Sequence, residues 1–66
     1  MLKSIVSKDI TLGMTFQNLM FIEITGRVID LSGDSVKLWV QDSKSGEEAD
    51  FWYNRKTIND YWALKE

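Results

Sequence analysis

Ile10, Leu12, Met14 and Phe16 occupy every second position of their segment, separated by Thr11, Gly13 and Thr15. Period two places all four on one side of a pleated strand, so 10–16 reads as the first strand. Gln17-Asn18 interrupt it, and an apolar-rich stretch then runs from Leu19 to Leu31 with Gly26 inside it. Met20, Ile22 and Ile24 share one parity, whereas Ile29 and Leu31 share the other. A one-residue change of parity beside a glycine is the pattern of a bulge or sharp bend. The expectation is a strongly bent second strand with its bend at Gly26.

Ser32-Gly33-Asp34-Ser35 suits a two-residue hairpin loop of type II′ or I′, with Gly33 at positive φ. Pairing Ser32 with Ser35 sets Leu31 against Val36, Asp30 against Lys37, Ile29 against Leu38 and Val28 against Trp39. Apolar then meets apolar inside, and a carboxylate meets an ammonium outside. A second hairpin joins 36–41 to 49–53 around Ser43-Lys44-Ser45-Gly46, where Gly46 suits a left-handed conformation. Val36, Leu38, Val40, Ala49, Phe51 and Tyr53 share its inner face. Trp39 and Trp52 fall together on the outer face, directly opposed or one diagonal step apart. In the tail, Ile58, Tyr61, Trp62 and Lys65 recur at i, i+3, i+4 and i+7, which predicts a short helix or 3₁₀ turn with Asn54 or Thr57 as N-cap. That element would lay Ile58, Tyr61 and Trp62 over an open end of the sheet.

Five short, bent strands with a helical turn near the end define an all-β chain. Their order resembles the SH3-like barrel architecture shared by tudor, KOW and Sm-like domains. The dipeptide clusters of a proline-binding SH3 groove and the basic loop of a KOW module are missing. An OB-like barrel is the structural alternative, and fold of either kind leaves function open.

Composition narrows the function. The chain has 66 residues, 44% of them apolar, and reads as one domain spanning 1–66. A core of this size supplies roughly 3–5 kcal/mol of net stability, which makes self-association attractive. There is no Cys and no His, so thiol, imidazole and zinc chemistry are excluded. No cofactor, metal or enzymatic activity is expected. With 8 basic and 10 acidic side chains the net charge is -2, leaving no bulk positive field for nucleic acid. The longest apolar run, Leu19-Met20-Phe21-Ile22, is far short of a membrane span, and Ser7-Lys8-Asp9 interrupts the first residues before a signal peptide can form. A cytoplasmic protein is expected, of a microbe or of a phage.

The leading site candidate is the outer face carrying Trp39 and Trp52, with Val28, Lys37 and Asp50 around them. If the C-terminal element covers that face, the indoles form a second small core. If it does not, they anchor a protein partner or a second copy of the chain. In the homodimer expected on this basis, Val28, Trp39 and Trp52 lie at the centre and Asp30 and Lys37 at the rim; pairing through the edge of the first strand is the competing geometry. The alternative function is a nucleic-acid platform in which bases stack on Trp39 and Trp52 while Lys37, Lys44, Arg55 and Lys56 track phosphates. Asp42, Glu47, Glu48 and Asp50 on the same hairpin would oppose it.

Overall fold

The computed structural model describes residues 2–65, so Met1 and Glu66, where the expected helical tail ends, lie outside the described residues. The Gly33 hairpin organises the sheet. Gly33 has a φ of 57°, and Asp34 after it does not share the positive φ, which is the type II′ alternative. The ladder above it begins as the sequence predicts, with Ser32 opposite Ser35, Leu31 opposite Val36 and Asp30 opposite Lys37.

Beyond Asp30 the register shifts by one. Val28 pairs with Leu38, Arg27 with Trp39 and Gly26 with Val40. The bend expected at Gly26 is therefore a bulge at Ile29, and the expected pairs Ile29–Leu38 and Val28–Trp39 do not form. The reason is geometric: Val28 and Leu31, three residues apart, both pack against the core, and two such positions share one face of a strand only if a residue between them is extra. Ile29 takes that place, 41% exposed. Gly26 has a different task. A Cβ there would lie 3.2 Å from Leu38 Cδ1 and from two ring carbons of Trp62, so the missing side chain is what lets the indole pack against the backbone.

The described chain forms six strands: β1 (Leu2–Lys3), β2 (Thr15–Asn18), β3 (Ile24–Ser32), β4 (Ser35–Asp42), β5 (Glu48–Asn54) and β6 (Trp62–Lys65). They make one antiparallel sheet in the order β1-β6-β2-β3-β4-β5. Two 3₁₀ turns, Ser7–Asp9 and Ile58–Asp60, complete the secondary structure. The core comprises Ile5, Ile10, Phe16, Val28, Val36, Leu38, Ile58 and Trp62. Among the described residues no helix is long and apolar enough to cross a membrane.

Six strands stand where five were expected, because Leu2–Lys3 adds a short strand beside β6, and the expected second strand begins only at Ile24, leaving 19–23 as a loop. Three further segments depart from the sequence expectation. The strand expected over 10–16 is β2 and starts at Thr15, because a turn closed by the Met14 N–H on the Thr11 carbonyl leaves Leu12 exposed. Gln17 and Asn18, read as an interruption, belong to that strand, and Gln17 is buried. The tail makes the expected 3₁₀ turn but then extends as β6, pairing with both β1 and β2. Thr57 stands at the N-cap position without a capping hydrogen bond, whereas the Asn54 carboxamide oxygen accepts from the Lys56 N–H. Trp62 becomes a central core residue and Tyr61 stays exposed. The Asn59 carboxamide closes the N-terminal segment onto this turn, donating to the Ile5 carbonyl (2.6 Å) and accepting from the Ile5 N–H (2.7 Å).

Candidate binding groove

Leu19, Met20, Phe21 and Ile22 form the β2–β3 connection, and all four are exposed, Met20 to 80% and Ile22 to 86%. Apolar side chains projecting from a loose loop would collapse onto the nearest surface. This loop is tied from within. The buried Gln17 carboxamide nitrogen reaches the carbonyls of Phe21 (3.2 Å), Ile22 (2.9 Å) and Ile24 (3.0 Å). The Asn18 carboxamide oxygen accepts from the N–H groups of Met20 and Phe21, both at 2.9 Å. The Leu19 N–H donates to the Tyr61 carbonyl at 2.8 Å, fixing the loop to the segment before β6. With these backbone groups held by Gln17, Asn18 and Tyr61, the loop keeps its apolar side chains exposed.

Opposite this loop stands an aromatic wall. Tyr53 packs edge-on against Trp62 (5.8 Å between centroids), tilted against Tyr61 (6.5 Å) and edge-on against Phe51 (6.5 Å). Between loop and wall lies a cleft of about 460 Å³, lined by Leu19, Met20, Phe21, Tyr53 and Tyr61 among others. A second cleft of about 430 Å³ continues it past Ala49 and Phe51, and Ile24 and Val40 belong to both. The result is one elongated apolar groove over the inner face of β4 and β5. Its charged lining residues are Asp60 at one end and Asp42, Glu47 and Glu48 at the other; among the described residues no Lys or Arg lines it. Burial raises the Tyr53 hydroxyl above its ordinary pKa of 10.0, and the Trp62 indole opposes that shift. The Trp62 Nε1–H itself has no acceptor in hydrogen-bonding geometry among the described residues, so burial governs the Tyr53 hydroxyl.

The outer face carries Trp39 and Trp52 as expected, without Val28. Lys37 lies opposite Trp52 and Trp39 opposite Asp50, so the two indoles sit one diagonal step apart, and the C-terminal segment does not cover them. Trp52 is 49% exposed, Trp39 half-buried and Asp50 exposed. Lys37 Nζ stands 5.7 Å from the Trp52 ring centroid, a cation–π contact. Val28, expected beside them, is only 2% exposed and faces the core, because the bulge at Ile29 turns it inward.

The cations of the alternative site are dispersed. Lys44 lies in the turn after β4 and Lys56 in the turn after β5, separated by the length of β5, roughly 20 Å. Arg55 is engaged internally, its Nη1 donating to the Ser7 carbonyl at 2.9 Å.

The groove residues Leu19, Met20, Phe21 and Tyr61 were missed in the sequence because an apolar run beside a strand pattern reads as more strand. The signal that could have found them is Asn18, a turn-forming residue directly before a run without alternation. No protein family, curated protein or solved structure matches the chain.

Proposed function

We propose that this chain is a non-enzymatic protein-interaction module of SH3-like barrel type, and that it captures an apolar peptide segment flanked by Lys or Arg in the groove between the 19–21 loop and β5. One observation carries the reading: the groove walls are apolar and aromatic, and its charged lining residues are all carboxylates. A contiguous exposed apolar patch of this kind marks an interaction surface. Carboxylates at both ends select a cationic flank and repel phosphate, so electrostatic complementarity favours a protein partner over nucleic acid. The proposed site thus moves from the Trp39/Trp52 face to the opposite side of the hairpin. The nucleic-acid alternative has Lys37 stacked on Trp52 in its favour, but its remaining cations do not converge.

Titration with short peptides tests the proposal. A peptide with a Leu/Phe core and flanking lysines binds, its acidic-flanked counterpart does not, and Met20→Asp weakens binding at least about tenfold, as loss of an apolar anchor does. Equal binding of both peptides, or an unaffected Met20→Asp, removes the groove as the site. Binding of mixed oligonucleotides that falls steeply between about 50 and 200 mM salt would instead support the nucleic-acid reading.

A further inference from the structure

The sheet has two edges, and they differ. β1 offers two residues, whereas β5 offers seven, Glu48–Asn54, paired with β4 on one side only. Natural edges are guarded by proline, lysine, a bulge or an inward-pointing charge. β5 has none of these: its sequence is Glu-Ala-Asp-Phe-Trp-Tyr-Asn, and its register with β4 runs without a shift from Gln41–Glu48 to Ser35–Asn54. Phe51 and Trp52 on it are about half exposed.

Two hydrogen bonds flanking the ladder show which backbone groups are spent on β4. The Asp42 N–H donates to the Glu47 carbonyl (2.9 Å), and the Arg55 N–H to the Asp34 carbonyl (2.6 Å). Alternation between these ends directs the backbone groups of Ala49, Phe51 and Tyr53 at β4 and those of Glu48, Asp50, Trp52 and Asn54 at the open edge.

We propose that β5 pairs antiparallel with β5 of a second copy, about a two-fold axis through Phe51. This register alone uses all seven residues. It sets Asp50 opposite the partner's Trp52, Glu48 opposite the partner's Asn54, Ala49 opposite the partner's Tyr53, and the two Phe51 side chains against each other. The outward backbone groups then meet as hydrogen-bonded pairs, with about four bonds from the Asp50–Trp52 pairs alone, and no like charges face each other. An axis through Asp50 would oppose two carboxylates, and an axis through Trp52 leaves Glu48 and Ala49 beyond the strand pairing. Axes between residues set outward groups against inward ones. The two-fold interface is self-complementary in the closed sense that a homodimer requires, and it joins the sheets with both grooves on one side. Phe51 belongs to both the groove wall and the pairing, but the backbone hydrogen bonds of the pairing require no ligand in the grooves.

Cysteine cross-linking reads the register, because the chain has no Cys of its own. In this dimer Phe51→Cys brings two Cα atoms to about 4.5 Å in a non-hydrogen-bonded pair, within disulfide reach. Ala49→Cys leaves them about 14 Å apart, out of reach. The expected results are a parent that sediments as a dimer at about 0.1 mM and an oxidised Phe51→Cys that migrates as a covalent dimer while Ala49→Cys does not. Amide exchange on the unsubstituted chain needs no variant: the Asp50 and Trp52 N–H groups slow about tenfold or more between about 5 µM and 0.5 mM. A monomeric parent, cross-linking of Ala49→Cys as readily as Phe51→Cys, or concentration-independent exchange at Asp50 and Trp52 overturns the proposal. So does a dimer that survives Asp50→Pro, which removes an outward N–H, but dissociates on Trp39→Ser.

Discussion

Gly26 and Gly33 are both required, for opposite physical reasons. Around Gly33 there is open space, so its constraint is the backbone alone, with φ at 57°. A side chain there is forced to the positive φ that L residues avoid, at a cost of about 1–2 kcal/mol, and the first central position of a type II′ turn favours glycine. Gly33→Val is therefore expected to lower Tm by about 4–8 °C or more, and Gly33→Ala by a comparable amount. Gly26 has an ordinary φ but no room, with Leu38 and Trp62 at 3.2 Å from the missing Cβ. Trp62 is fully buried and cannot retreat, so Gly26→Ala is expected to destabilise by about 1–3 kcal/mol through overpacking. Thermal melts of the three variants test both mechanisms; a stable Gly26→Ala would mean that the indole has slack.

At the scale of the element, Gln17 decides whether the 19–22 connection is a platform or a floppy loop. Its carboxamide nitrogen serves the carbonyls of Phe21, Ile22 and Ile24 from a buried position in β2. Gln17→Leu keeps the bulk but removes the donor shared by the Ile22 and Ile24 carbonyls, while the Phe21 carbonyl still accepts from the Ile24 N–H (3.1 Å), so each hydrogen bond lost should cost about 0.5–1.5 kcal/mol. The expected outcome is local: faster amide exchange at Met20 and Phe21 and weaker peptide capture, with the β4–β5 amides unchanged. Uniform loss of protection across the sheet would show that Gln17 supports the core rather than the groove.

For the whole molecule, Tyr53 couples the groove wall to stability at alkaline pH. Its folded-state pKa is raised above 10.0 by burial, so the folded chain holds the proton that the unfolded chain releases. That contribution is complete below the unfolded value and is lost as pH climbs through the folded one. Stability should therefore fall above about pH 10 more steeply in the parent than in Tyr53→Phe. Denaturant unfolding at several alkaline pH values measures the difference, and parallel pH profiles would place the phenol in ordinary solvent.

The β3–β4 turn, the facing of Val36, Leu38 and Val40 with Ala49, Phe51 and Tyr53, and the placing of Trp39 and Trp52 on one outer face were legible from the amino acids alone, whereas the ladder register chose the diagonal over the direct pairing of the indoles. All three follow from turn chemistry and side-chain alternation, which act over a few residues. Other features waited for the fold. That Val28 and Leu31 both enter the core decides where the extra residue sits, and the sequence pattern placed it at Gly26 instead of Ile29. The segment around Trp62 carries a spacing that a helix satisfies as well as a turn plus strand does, and the open edge of β2 selects the strand, because unpaired backbone groups there require partners. The apolar run at 19–22 becomes a groove wall rather than a strand because Gln17 and Asn18 capture its backbone groups. Local patterns determine which way a side chain points within an element; which elements exist at 19–22 and 62–65 depends on hydrogen-bond partners that only the assembled sheet supplies.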